Sequence, residues 1–202
     1  EARLIYFSPT HTSKQVAEAI VHGTGIKNVV PMNLTLQTVE ETVIPTSALA
    51  VIVVPVYGGH VAPLAMERLE NIRGLDTPTV LVVVYGNRAY EKALMELDAF
   101  AIPHGMKVIA GATFIGEHSY STDKCPIADG RPNESDLNYA EDFGRKIMEK
   151  IQAAAGDETL SGRCTCYKTP QSAIFPFIPL FEKSDQVTQK RYSAPSYSLD
   201  RG

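Results

Sequence analysis

The sequence has no surplus of basic charge. Its formal net charge is −4 over 202 residues, so the cationic face that neutralises nucleic-acid phosphates is not evident, and no nucleic-acid partner is expected. It has no apolar run long enough to span a bilayer, and its first residues lack the basic and apolar segments that direct secretion. Cysteine is scarce. Three residues of it, an odd number, make no disulfide framework and suit a reducing, cytoplasmic location. Cys125-Pro126 and Cys164-Thr165-Cys166 do not supply the multi-cysteine repeats that hold iron–sulfur clusters. His60 and His118 lack partners at ligand spacing, so no metal site is expected. The glycine patterns that wrap diphosphates are missing, as is the Gly-x-Ser-x-Gly elbow of serine hydrolases.

What is present is 44% apolar composition, enough for one sizeable core. Apolar runs at Ala2–Phe7, Val29–Met32, Leu49–Val56, Thr79–Tyr85 and Val108–Phe114 read as strands. Helical rhythms lie between and after them. These are Val16, Ala17 and Ile20; Ala62, Ala65, Met66, Leu69 and Ile72; Tyr90, Leu94, Leu97 and Ala101; and Ala140, Phe143, Ile147 and Ile151. Asn133 or Ser135 is placed to cap the last helix. The stretch 33–45 reads as a loop with a short helical turn. Strands without polar alternation need cover on both faces, so the expected fold is a doubly wound α/β sheet of five parallel strands. Asp98, Asp136, Glu141 and Asp142 fall in helical segments and are expected to face solvent. Residues 1–152 form the expected main domain. Residues 153–202, broken by Pro170, Pro176 and Pro179, read as an irregular extension. Its apolar strip Ile174–Phe181 is expected to lie extended against the main domain.

Ligands of such sheets bind beyond the carboxyl ends of the strands. The first strand ends in Ser8-Pro9-Thr10-His11-Thr12-Ser13, directly before a helix. Free N–H groups at a helix start and neighbouring hydroxyls suit a phosphomonoester. They equally suit an ordinary capped turn. The third strand ends in Pro55-Val56-Tyr57-Gly58-Gly59-His60-Val61. The fourth ends in Tyr85-Gly86-Asn87-Arg88-Ala89-Tyr90. Each pairs an aromatic with glycine, which fits a stacking wall beside a close backbone approach or a half-buried packing residue. The fifth strand, with Phe114 near its end, leads into a long polar loop over 116–133, of a kind that often covers a site.

Taken together, these loops resemble those of the flavodoxin-like family. The hydroxyl loop is similar to the family's FMN phosphate loop, Ser/Thr-x-Thr-Gly-x-Thr. Ser8, Thr10 and Thr12 or Ser13 match its hydroxyls, and His11 replaces its glycine. The segments 55–61 and 85–90 resemble the two loops that flank the isoalloxazine ring. VPVYGGHVAP and YGNRAYEKAL are most similar to the branch in which a flavodoxin-like domain is fused to a bacterial ferredoxin-type domain. That domain's cysteine set is absent from this chain, and residues 153–202 look like the connector ahead of it.

The resemblance covers residues 2–152. It implies strand order 2-1-3-4-5, noncovalent FMN and electron transfer. The partner would be a redox protein or a fused ferredoxin-type domain outside this chain. The implied phosphate residues are Ser8, Thr10, His11, Thr12 and Ser13. Those implied around the ring are Pro55, Val56, Tyr57, Gly58, Gly59 and Val61 on one side. Tyr85, Gly86, Asn87, Arg88, Tyr90 and Phe114 lie on the other. A flip of the Gly58 peptide on reduction is a further implication. Pointing inward, Arg88 would favour, and Glu117 oppose, negative charge on the reduced ring. The rival readings are an FMN-dependent NAD(P)H:quinone-type reductase and a non-redox interaction protein that has lost flavin binding.

Overall fold

The structure, a computed structural model, describes residues 1–36, 38–156 and 165–166. In chain order the strands are β1 (Ala2–Tyr6), β2 (Val29–Asn33), β3 (Thr42–Ile44), β4 (Leu49–Tyr57), β5 (His60–Val61), β6 (Ile72–Gly74), β7 (Thr77–Tyr85), β8 (Met106–Ile115) and β9 (Thr165–Cys166). The helices are α1 (Thr12–Thr24), α2 (Pro63–Leu69), α3 (Ala93–Ala101) and α4 (Glu134–Gly156). The main sheet runs β2-β1-β4-β7-β8-β9, and these neighbours pair in parallel. Its five long strands keep the order 2-1-3-4-5. Helices pack on both faces, as a doubly wound α/β sheet requires.

Alternation along each strand divides the core in two. Leu4, Tyr6, Val51, Val53, Val82 and Val84 face α1 and α4. Ile5, Ile52, Val54, Leu81 and Val83 face α2, α3 and the β3–β6 pair. Full burial of each such side chain contributes about 1.5–3 kcal/mol. Residues on both sides are buried, which is why β4 and β7 carry unbroken apolar runs. Two glycines let α1 and α4 touch backbone to backbone. A Cβ on Gly23 would lie 2.0 Å from the Glu141 carbonyl oxygen, and one on Gly144 would lie 2.1 Å from that of Ile20.

Several elements differ from the expectations. The stretch 33–45 contains β3, a strand paired in parallel with β6. Ile72 belongs to β6, and α2 ends at Leu69. Helix α3 begins at Ala93, so Tyr90 precedes it. Beyond residue 152, α4 continues to Gly156, and Thr165–Cys166 adds a sixth parallel strand beside Ala110–Gly111. The strip Ile174–Phe181 lies outside the described residues. Asp136 is buried, not solvent-facing, because the start of α4 needs it there. Its carboxylate accepts the Asn133 N–H at 2.8 Å, while Asn133 Oδ1 accepts the Asp136 N–H at 3.1 Å. That reciprocal pair is a capping box, and Arg131 ion-pairs with the same carboxylate. Among the described residues no helix is long and apolar enough to cross a membrane.

Candidate functional site

Strand order reverses at β1, whose neighbours β2 and β4 lie on opposite sides. Connections leave a crevice beyond the carboxyl ends at such a switch point. A cleft of about 590 Å³ lies there, bordered by the loops after β1, β4, β7 and β8.

The loop after β1 forms one end of it. Thr10, Thr12 and Ser13 border the cleft. Ser8 does not; it is buried and works on the loop itself. Its Oγ accepts the Lys14 N–H at 2.9 Å, and its own N–H donates to Thr35 Oγ1 at 2.8 Å. His11 is the N-cap of α1, with φ 66° and no side-chain cap bond. Its backbone therefore takes a left-handed turn at the position where the motif it resembles has glycine. Histidine is among the residues that enter this region more readily than most. Its side chain is exposed.

Lys14 N–H is spent on Ser8, but those of Thr12 and Ser13 have no partner among the described residues. Ser13 Oγ is buried and also without one. Thr10 and Thr12 bring their hydroxyls within 3.3 Å of each other. The result is a concave group of donors at the positive end of a helix dipole. An anion there satisfies groups that otherwise stay orphaned.

The loop after β4 brings Pro55, Val56, Tyr57, Gly58 and Gly59 to the cleft. Gly58 and Gly59 have φ 60° and 85°, so the tight reversal into β5 relies on glycine. Tyr57 is 46% exposed, and partial burial still pushes its phenol above the ordinary value. Val61 points inward and is core. The loop after β7 adds Tyr85, Gly86 and Arg88. Asn87, with φ 55°, is exposed and does not itself border the cleft, though its neighbours Gly86 and Arg88 do. Tyr90 packs edge-on against Tyr85 at 5.4 Å between centroids. Burial and Tyr90 push the Tyr85 phenol up, against an opposing pull from Arg131. Phe114 is fully buried and packs on Phe143. Val61 and Phe114 thus stand behind the site, because strand alternation turns them away from it.

The loop after β8 supplies a wall that the sequence marks by its length and polarity and by Glu117. Glu117, His118, Ser119 and Tyr120 border the cleft. His118 covers Gly86, where an added Cβ would lie 2.5 Å from its Cδ2. Its Nδ1 accepts the Tyr120 N–H at 3.1 Å, which leaves the proton of the neutral ring on Nε2. The walls brace one another. Lys92 N–H donates to the Gly59 carbonyl at 3.1 Å, Gly116 N–H to that of Tyr85 at 2.9 Å, and Glu117 N–H to that of Arg131 at 2.8 Å. Glu91 lies so close to Gly59 that a Cβ there would meet its carboxylate at 2.4 Å. His60 takes no part in the lining and pairs with Glu96, whose carboxylate also accepts the Val61 N–H at 3.2 Å.

With this geometry, the chain is similar in fold to several solved flavodoxins. A flavodoxin from the domain Archaea is 19% identical, with a TM-score of 0.52 over 75% of this chain and 98% of that one. The Streptococcus pneumonia TIGR4 flavodoxin is 15% identical, with a TM-score of 0.52 over 74% and 98%. Rubredoxin oxygen:oxidoreductase from Desulfovibrio gigas is 11% identical, with a TM-score of 0.54 over 77% of this chain and 37% of that one. The chain therefore has the flavodoxin-like fold. No protein-family model and no curated protein matches it.

Proposed function

We propose that this protein binds FMN noncovalently in the cleft and carries electrons between redox protein partners. The observation that carries this reading is Ser13 Oγ. It is buried, partnerless among the described residues and set at the start of α1, beside two unpaired N–H groups. A terminal phosphate supplies the acceptors that these donors lack. The hydroxyl loop fits one phosphate and has no glycine run to wrap two.

Thr10, Thr12, Ser13 and the N–H groups of residues 12–13 would hold the phosphate. Ser8 fixes the loop from beneath, and His11 contributes its backbone turn. Tyr57 is the favoured ring wall, since it is half exposed at the cleft while Tyr85 is almost fully buried. The main chain at Gly58, Gly59 and Gly86 allows close approach to a flat polar edge. Arg88 and Glu117 place opposite charges on the rim. The loop at 116–120 excludes water from one side. FMN, when bound, supplies electron transfer through its ring.

A visible absorption spectrum after addition of excess FMN and removal of unbound cofactor tests this. The flavin bands should remain with the protein. A colourless protein after that treatment favours the non-redox alternative. Rapid consumption of NADH or NADPH by the loaded protein without a separate reductase favours the quinone-reductase alternative.

A further inference from the structure

We infer that Arg68 on α2 is a positioning residue for the anion cradle, acting through Thr35 and Ser8; this rests on the FMN reading above. Arg68 does not border the cleft. Its Nη1 donates to the Leu34 carbonyl and, at 2.7 Å, to the Thr35 carbonyl. Its guanidinium carbon sits over the Phe7 ring, 5.9 Å from the centroid, a cation–π placement.

The residues it holds are those that aim the hydroxyl loop. Phe7 leads directly into Ser8. Thr35 Oγ1 accepts the Ser8 N–H at 2.8 Å, and Ser8 Oγ accepts the Lys14 N–H at 2.9 Å. A continuous path therefore runs from the Arg68 guanidinium through the Thr35 backbone and hydroxyl to Ser8. It ends in the first turn of α1, where Thr12 and Ser13 present their unpaired donors.

The turn after β2 needs an outside donor for this. Leu34 N–H is taken by the Tyr6 carbonyl at 2.8 Å, and Thr35 N–H by Asn33 Oδ1 at 2.9 Å. Those bonds fix the turn's N–H groups but not its carbonyls. A single nitrogen, Nη1, reaches both carbonyls while the guanidinium carbon stays over the Phe7 ring; a lysine offers an ammonium to the carbonyls but lacks the planar head that covers the ring. Without the guanidinium, the Thr35 hydroxyl loses its fixed position and the Ser8 amide loses its aim. The loops after β4 and β7 do not depend on this path, so the ring end of the site is spared. The loss falls on the phosphate.

FMN and riboflavin share a ring and differ by that phosphate. Arg68→Met, Arg68→Lys and Thr35→Val are titrated with each flavin by quenching of its fluorescence. The FMN dissociation constant should rise roughly tenfold in Arg68→Met and in Thr35→Val, and less in Arg68→Lys. The riboflavin constant should stay within about twofold, since no ring contact changes. Thr35→Val keeps the backbone carbonyls that Arg68 holds, so it carries the test if Arg68→Met does not fold. A merely structural role would weaken both flavins together, and that result overturns the inference. So does unchanged FMN affinity in Arg68→Met or Thr35→Val. If the unaltered protein binds neither flavin, or does not distinguish them, the FMN reading fails and this inference falls with it. If it prefers FMN and the variants do so equally, only the role of Arg68 falls.

Discussion

The Lys14 backbone N–H donates to Ser8 Oγ across 2.9 Å. Ser8 therefore caps α1 from three positions ahead of the cap residue, while His11, at the formal cap position, offers no side-chain bond. Ser8→Ala leaves the Lys14 N–H without its partner and should cost about 1 kcal/mol. The urea midpoint should fall with an unchanged slope. An unchanged midpoint would mean that the loop does not depend on this bond.

His11 holds its left-handed turn against the preference of L-residues. His11→Gly removes that penalty but adds freedom to the unfolded chain, so stability should change by less than about 1 kcal/mol. His11→Val puts a β-branched residue at the same φ and should lose about 1–2 kcal/mol. Equal stability of the two variants in urea would contradict the turn.

The close approach of α1 and α4 is a second requirement. Gly144→Ala drives a methyl against the Ile20 carbonyl, where only backbone shift can relieve it. A loss of about 1–3 kcal/mol is expected from such overpacking. Calorimetry should register it as a lower Tm, and an unchanged Tm would contradict this contact.

Burial raises the Asp98 carboxyl above its ordinary value. A raised acid favours the folded state while protonated and loses that contribution as pH rises through the folded pKa. Asp98→Asn should therefore be more stable than the unaltered protein at neutral pH. The gain should shrink as pH falls below the ordinary carboxylate range. A gain of equal size at both pH extremes would mean that burial of the charge is not its source.

Strands β1, β4 and β7 were legible because double-sided burial writes itself as apolar runs. The loops at their carboxyl ends were legible because hydroxyls, glycines and tyrosines cluster there. Strands β3, β6 and β9 were not, since two or three residues cannot establish a period. Sequence locates Val61 and Phe114 near strand ends without saying which face each takes, and the structure buries both in the core. The burial of Asp136 is hidden from sequence for a related reason. Helical position alone reads as exposure, whereas the capping box and Arg131 hold that carboxylate inside. Arg68 carried no signal at all, because it acts on backbone carbonyls over thirty residues away.

The most direct test is a crystal structure of the protein with FMN. A phosphate oxygen should lie within about 2.7–3.2 Å of Ser13 Oγ and of the Thr12 or Ser13 N–H, as hydrogen bonds require. Tyr57 should lie against the ring. A phosphate bound elsewhere, with Ser13 Oγ still buried and partnerless, would contradict the FMN reading.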